Sequence, residues 1–262
     1  MSQIRLLSTI EMALKNRTQL FANIHDNRNL TKYFIDLQLA ILLFTFIYGA
    51  SMGLFSGGLQ ILYAALKIPI LIFLTLYICV PTFYVLDSLV GGALSLRQML
   101  IILLSGFTIM ATILVAFLPV ALFFLLTSFD YTFVVLLNVF IFGIGGVGAL
   151  IYFLNGYTTM YNLEGEPGPQ ITDASKCRQC ESPIAEGSAF CRSCGTRVAP
   201  SPEKGFQASS LPILIGCAVL IFVGTQLAWI LRPYFNYYPF FIRPLGGNFY
   251  LALLQLLLQL IF

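Results

Sequence analysis

Long apolar segments dominate this chain and leave it few ways to fold. Continuous runs of eighteen or more residues recur, each long enough to cross a bilayer as a helix. The first runs from about Tyr33 to Phe55, the second lies within Leu59 to Leu86, and the third within Met99 to Thr127. The fourth runs from about Tyr131 to Tyr157 and the fifth from Leu211 to Leu231. Only 10% of the 262 residues are charged and 58% are hydrophobic, whereas a water-soluble domain carries about 25% charged residues. The expected fold is an all-α polytopic membrane protein of about five transmembrane helices. A net charge of +3 is too small to argue for nucleic acid as a partner.

Punctuation inside the runs refines this. Ser56-Gly57-Gly58 and Ser128-Phe129-Asp130 read as turns, and Asp87 to Gln98 as a loop carrying Arg97. A helix rises about 1.5 Å per residue and the hydrocarbon core is about 30 Å thick, so the second and third runs are longer than needed. Lys67 and Pro69 interrupt the second, which predicts a tilted or broken helix, or a short separate helix over 59–67. Pro119 predicts a kink in the third.

Residues 1–32 form a separate segment. Ile4, Leu7, Ile10 and Leu14 recur at helical spacing among Arg5, Lys15 and Arg17. Two placements follow: a helix on the cytoplasmic face with cations near anionic lipid, or a helix packed on its own bundle or a partner. No apolar core of a cleavable signal peptide is present there.

Residues 158–208 change character, with eleven charged side chains and five prolines. They read as a water-exposed linker after the four-span bundle of residues 33–157. Within it lie Cys177-Arg178-Gln179-Cys180 and, ten residues later, Cys191-Arg192-Ser193-Cys194-Gly195. Two CxxC turns supply four thiolates, which is the tetrahedral set that closed structural zinc sites use. Such a site has no open position for catalysis. It folds a segment too small for a core, or it serves as a docking or redox-sensing module. The sequence CRQCESPIAEGSAFCRSCGTRV, residues 177–198, resembles the double-knuckle zinc ribbon of many bacterial proteins. That resemblance implies Zn2+ on Cys177, Cys180, Cys191 and Cys194, with the ribbon at 177–197. A span at 209–231 follows. Residues 232–262 hold an aromatic, arginine-bearing interfacial stretch and an apolar helix from Phe249 that suits an interfacial or re-entrant position, with a sixth span as the alternative.

Five lysines and arginines lie in the N-terminal segment and five in the insert, while the turns at 56–58 and 128–130 have none. The positive-inside rule then puts the N-terminus and the insert in the cytoplasm, and the resemblance to the bacterial ribbon implies a bacterial inner membrane. Arg232 and Arg243 fall outside, which weakens the bias without reversing it.

Lys67 is the candidate intramembrane polar site. It faces a polar cavity, a lipid phosphate or a partner carboxylate, or it sits at the head of a shorter second span starting near Ile68. Gly145 and Ala149 form a small-xxx-small pair suited to close helix packing, within the bundle or against a partner. GIGGVG lies inside an apolar run and is not a nucleotide loop. His25 is the only histidine, and no catalytic motif accompanies it.

The hydropathy of residues 33–157, with its prolines and paired long spans, is similar to that of the Yip-type multispan membrane proteins. That resemblance implies five spans and a cytoplasmic N-terminus, and in eukaryotes binding to small GTPases and membrane-shaping proteins. The inserted ribbon and the aromatic tail depart from it and put a trafficking role in doubt. The expected function is therefore a non-enzymatic membrane scaffold or assembly subunit, embedded in the lipid bilayer beside other membrane subunits or its own copies. The alternative is a transporter or channel whose broken-helix cavity lies near Lys67 and Pro69, with Pro81 and Pro119.

Overall fold

A computed structural model describes residues 2–27, 29–54, 57–89, 92, 94–127, 131–165, 210–231 and 248–261. Among these the chain is helical, in the order α1 (Ser2–Lys15), α2 (Arg17–His25), α3 (Leu30–Gly53), α4 (Leu59–Leu89), α5 (Leu96–Ala116), α6 (Leu118–Thr127), α7 (Tyr131–Gly165), α8 (Ser210–Leu231) and α9 (Phe249–Ile261). Five helices, α3, α4, α5, α7 and α8, are long and apolar enough to cross a membrane. At about 1.5 Å per residue, the 31 residues of α4 extend about 46 Å, so α4 exceeds the hydrocarbon core. The 13 residues of α9 extend about 20 Å, short of the roughly 30 Å needed to span.

The chain divides into two compact units, Met1–Met160 with Ser209–Phe262, and Tyr161–Ala208. In the first, α5 is the central helix. Every residue from Ile101 to Thr108 is buried, as expected of a helix that is apolar all round. Helix α3 packs on α4 and α5, α4 also packs on α5, and α8 lies against α4. Helix α7 closes the bundle: Phe153 meets Phe83 of α4 with ring centroids 4.8 Å apart, and Phe142 meets Tyr48 of α3 edge-on at 5.7 Å. In the second unit, the described residues are the last turn of α7.

Helices α3 and α4 approach backbone to backbone. A Cβ on Gly49 would lie 2.6 Å from the Ala64 carbonyl oxygen, and one on Gly53 would lie 2.9 Å from that of Gln60. Any larger residue forces the two helices apart. The hairpin that joins them uses Gly57 and Gly58, at φ of 67° and 58°, a left-handed region that glycine enters without steric cost.

Several boundaries differ from the expected ones. Asp87 belongs to α4, and Arg97 and Gln98 belong to α5, so the expected 87–98 loop shrinks to the residues between Leu89 and Leu96. The cause is a capping box: the Ser95 hydroxyl accepts from the Gln98 amide, and the Gln98 side chain accepts from the Ser95 amide. That starts α5 earlier than hydropathy alone indicates. Helix α4 runs unbroken through Pro69 and Pro81, with no separate helix over 59–67. The third run does break, at Phe117. Pro119 has no N–H to donate to the carbonyl of Val115, so the helical ladder is interrupted there. The single helix expected over residues 1–30 is two, Ser2–Lys15 and Arg17–His25, joined at Asn16.

The zinc-ribbon insert is the main correction. The described structure is all-α with no strand, and no group of three or more His, Cys, Asp or Glu side chains among the described residues could hold a metal ion. A ribbon needs paired strands and four converging thiolates, and neither occurs there. Cys177, Cys180, Cys191 and Cys194 lie outside the described residues. Among the described residues the fold therefore stands without the ribbon or its Zn2+, as five helices long and apolar enough to span a membrane with short accessory ones. The turn at 128–130 and the aromatic stretch at 232–244 also lie outside the described residues.

Candidate functional site

Polar side chains buried in an apolar bundle mark where its chemistry can reside. Those that join one helix to another, together with Lys67, fall at two levels. The first is the end where α3 and α5 begin and α4 finishes. Asp87 is buried on the face of α4 that also carries Leu76, Val80 and Phe83, a run of three- and four-residue steps. The Tyr157 hydroxyl of α7 donates to its carboxyl oxygen at 2.7 Å. One helix away, the Gln98 amide donates to the carbonyls of Ile24 and His25 at 3.2 and 3.3 Å. Those two carbonyls lie in the last turn of α2, where carbonyls lack the regular helical partner four residues on; the Ile24 carbonyl also accepts from the Asn27 amide at 3.1 Å.

The N-terminal helices are fastened to this end. The Tyr152 hydroxyl donates to the Ala13 carbonyl at 2.9 Å, and Thr9 donates to Asp36 at 2.8 Å. Asn23 donates to the Tyr33 hydroxyl at 3.0 Å. Leu20, Phe21 and Ile24 are fully buried, and Phe21 packs on Tyr152 with centroids 5.5 Å apart. Of the two placements left open by the sequence, the structure shows packing on the chain's own bundle. The basic residues Lys15 and Arg17 remain exposed, with Lys15 paired to Glu11 at 2.9 Å.

The second level lies toward the other end of α3 and α4. Lys67 is only 2% exposed and lies well inside the continuous α4, not at the head of a shorter span. Because Gly49 faces Ala64 and Ala65, the antiparallel register brings Lys67 to the height of Thr45 and Tyr48. There the Tyr48 hydroxyl donates to Asn138 of α7 at 2.8 Å. The Asn138 amide in turn donates to the Val134 carbonyl. Thr45 and Thr75 turn their hydroxyls onto carbonyls of their own helices. Among the described residues, no buried side-chain nitrogen or oxygen lacks a hydrogen-bond partner.

The structure does not bring the other candidates from the sequence to either level. Gly145 lies against Met110 of α5, and the Ala149 carbonyl lies against Gly106. Their stripe is thus the α5–α7 contact. Cys79 and Cys217 are free thiols buried in spans, where they act as small apolar side chains. His25 lies beside Asp26 at 3.5 Å, partly exposed.

Asp87, Tyr157, Gln98 and Asn138 were not singled out by sequence reasoning as site residues. For Asp87 the three- and four-residue spacing with Phe83 and Val80 was an available signal. For Asn138, a lone amide between Leu137 and Val139 carried nothing to distinguish it from a tolerated polar residue.

No family model, no curated protein and no solved structure matches this chain. The likeness to Yip-type proteins therefore has no support beyond hydropathy, and with the ribbon absent from the described structure it is set aside.

Proposed function

We propose that this protein is a non-enzymatic integral membrane scaffold or accessory subunit of a membrane complex. The observation that carries this reading is the use made of the buried polar side chains. Asp87 with Tyr157, Tyr48 with Asn138, Gln98 with α2 and Tyr152 with α1 each join one element to another. They tie the elements of the frame to one another. Helix α8 supports the reading from outside. It lies against α4 and leaves Leu214, Ile215, Ile221 and Phe222 exposed, a broad surface for lipid or another subunit. The test is purification in gentle detergent followed by native mass spectrometry. A complex of defined stoichiometry supports the proposal, and a strictly monodisperse monomer without partners sinks it.

The same proposal places the N-terminal helices on the cytoplasmic side. The supporting argument is their cluster of lysines and arginines, which short loops retain in the cytoplasm. Labelling of Ser8→Cys in intact cells with an impermeant maleimide checks it; strong labelling reverses the orientation.

One observation favours a second reading, a transporter or channel. Lys67 is nearly inaccessible inside a long apolar helix, at the height of Tyr48 and Asn138, and intramembrane cations commonly mark ion or substrate paths. Flux through reconstituted protein that disappears in Lys67→Ala supports transport over a scaffold.

A further inference from the structure

We propose that a cleft between the starts of α3 and α5 seats one anionic phospholipid of the surrounding bilayer, with its phosphate on Arg97. The cleft measures about 260 Å³ and is lined by Leu30, Thr31 and Phe34 of α3 and by Arg97, Leu100 and Ile101 of α5. The spacing of each trio puts its members on one face of its helix. The polar members, Thr31 and Arg97, are exposed, whereas Phe34 and Leu100 are half-buried and Ile101 is buried. The cleft is therefore polar at one end and apolar at the other.

Position and size narrow the ligand. Both helices enter the membrane at this end, so Arg97 lies where the hydrocarbon gives way to headgroups, and Phe34, Leu100 and Ile101 lie one turn deeper. A cleft that encloses a drug-sized molecule has roughly 300–1,000 Å³. This one is smaller and half open, so it grips part of a longer molecule whose remainder continues into the bilayer. A lipid has that form.

Charge selects the headgroup. Arg97 makes no ion pair or hydrogen bond with any described residue, although its neighbour Gln98 is fully engaged. A guanidinium offers a planar fork of donors that matches a phosphate. Lys32, exposed on α3 next to Thr31, adds a second cation. The nearby acid Asp36 is engaged by Thr9, and Asp26 lies beside His25 at the end of α2. The site does not depend on whether the protein is a scaffold or a transporter.

The experiment is native mass spectrometry of the full chain in mild detergent, titrated with phosphatidylglycerol or with phosphatidylcholine of the same acyl chains. One phosphatidylglycerol should be retained in preference to phosphatidylcholine. Arg97→Gln should weaken its binding about fivefold, the factor expected from one cation near an anionic lipid, and Arg97→Lys should fall between. Equal retention by Arg97→Gln overturns the proposal. Displacement of the lipid by millimolar inorganic phosphate also overturns it, in favour of a free phosphate. A Leu100→Trp variant keeps Arg97 and serves if Arg97→Gln does not fold. Its fluorescence should be quenched by phosphatidylglycerol with brominated acyl chains more than by the brominated phosphatidylcholine. Equal quenching by the two lipids rejects the site.

Discussion

The Tyr157 hydroxyl donates to the Asp87 carboxyl across 2.7 Å, and the bond links the last part of α4 to α7 over seventy residues of sequence. Both side chains are buried. Hydrogen bonds between membrane helices average about 0.6 kcal/mol and reach about 1.7, while bonds to charged groups in proteins reach about 3. Tyr157→Phe should therefore destabilise the protein by about 1–2 kcal/mol in reversible unfolding from detergent. A double-mutant cycle with Asp87→Asn should show coupling. Strictly additive losses would mean that the two groups do not support each other.

Gly49 and Gly146 make a matched pair for testing backbone contact. A methyl at Gly49 meets the Ala64 carbonyl and the Ala65 Cα, whereas one at Gly146 meets nothing within 4 Å. Gly49→Ala should cost about 1–3 kcal/mol, the range for overfilling a packed contact. Gly146→Ala should change stability by less than about 0.5 kcal/mol. Thermal unfolding of both variants in one detergent gives the comparison, and equal shifts would argue against the close α3–α4 approach.

Gln98 serves two elements at once, as capping partner of Ser95 and as donor to the end of α2. Gln98→Ala should loosen the N-terminal helices while leaving the spans inserted. Loss of a cap costs about 1 kcal/mol. Hydrogen exchange should speed up in Arg17–His25 and in the first turn of α5, with the centre of α5 unchanged. Protection that falls equally along α5 would show that Gln98 supports the whole bundle.

Lys67 is unfavourable for insertion wherever it finally rests. A lysine at a helix centre costs roughly 2.5–3.5 kcal/mol on insertion scales. Lys67→Met should improve insertion of α4 tested alone in a translocon assay by up to about 3 kcal/mol. In the scaffold reading it should also leave recovery of partners unchanged. Loss of partners together with intact insertion would move Lys67 from the frame to the interface.

The five spans were legible because the bilayer imposes one rule on each: about twenty apolar residues, whatever their neighbours. Pro119 was legible as a kink for a similar reason, since a missing N–H acts locally, and the structure goes further, ending α5 at Ala116 and starting α6 at Leu118. The end of α4 and start of α5 were misplaced because hydropathy is silent on caps; Ser95 and Gln98 decided them by hydrogen bonding. Lys67 and Pro69 pointed to a tilted or broken helix, and α4 shows no break, because neighbouring helices can support a proline-containing span. Lys67 was legible as a residue in the wrong solvent, but its burial depended on the packing of the bundle, which no local pattern of α4 encodes. Asp87 and Tyr157 lie seventy residues apart in sequence, and only the packed bundle pairs them. The zinc reading rested on a short motif alone, and the all-α architecture of the described residues contains nothing that extends it.

The close seat of Gly49 and Gly53 on α4 has a consequence for how the chain reaches the membrane. Among the five candidate spans α3 is the least hydropathic, and it carries Asp36, Gln38, Thr45, Tyr48 and Ser51. Its partner α4 is more apolar and follows after a turn of only a few residues. Two helices that touch main chain to main chain can leave the translocon as one hairpin, the second carrying in the first. The birth order of the spans would then be pairwise, and a change at either glycine would show itself in biogenesis before it showed in the finished protein.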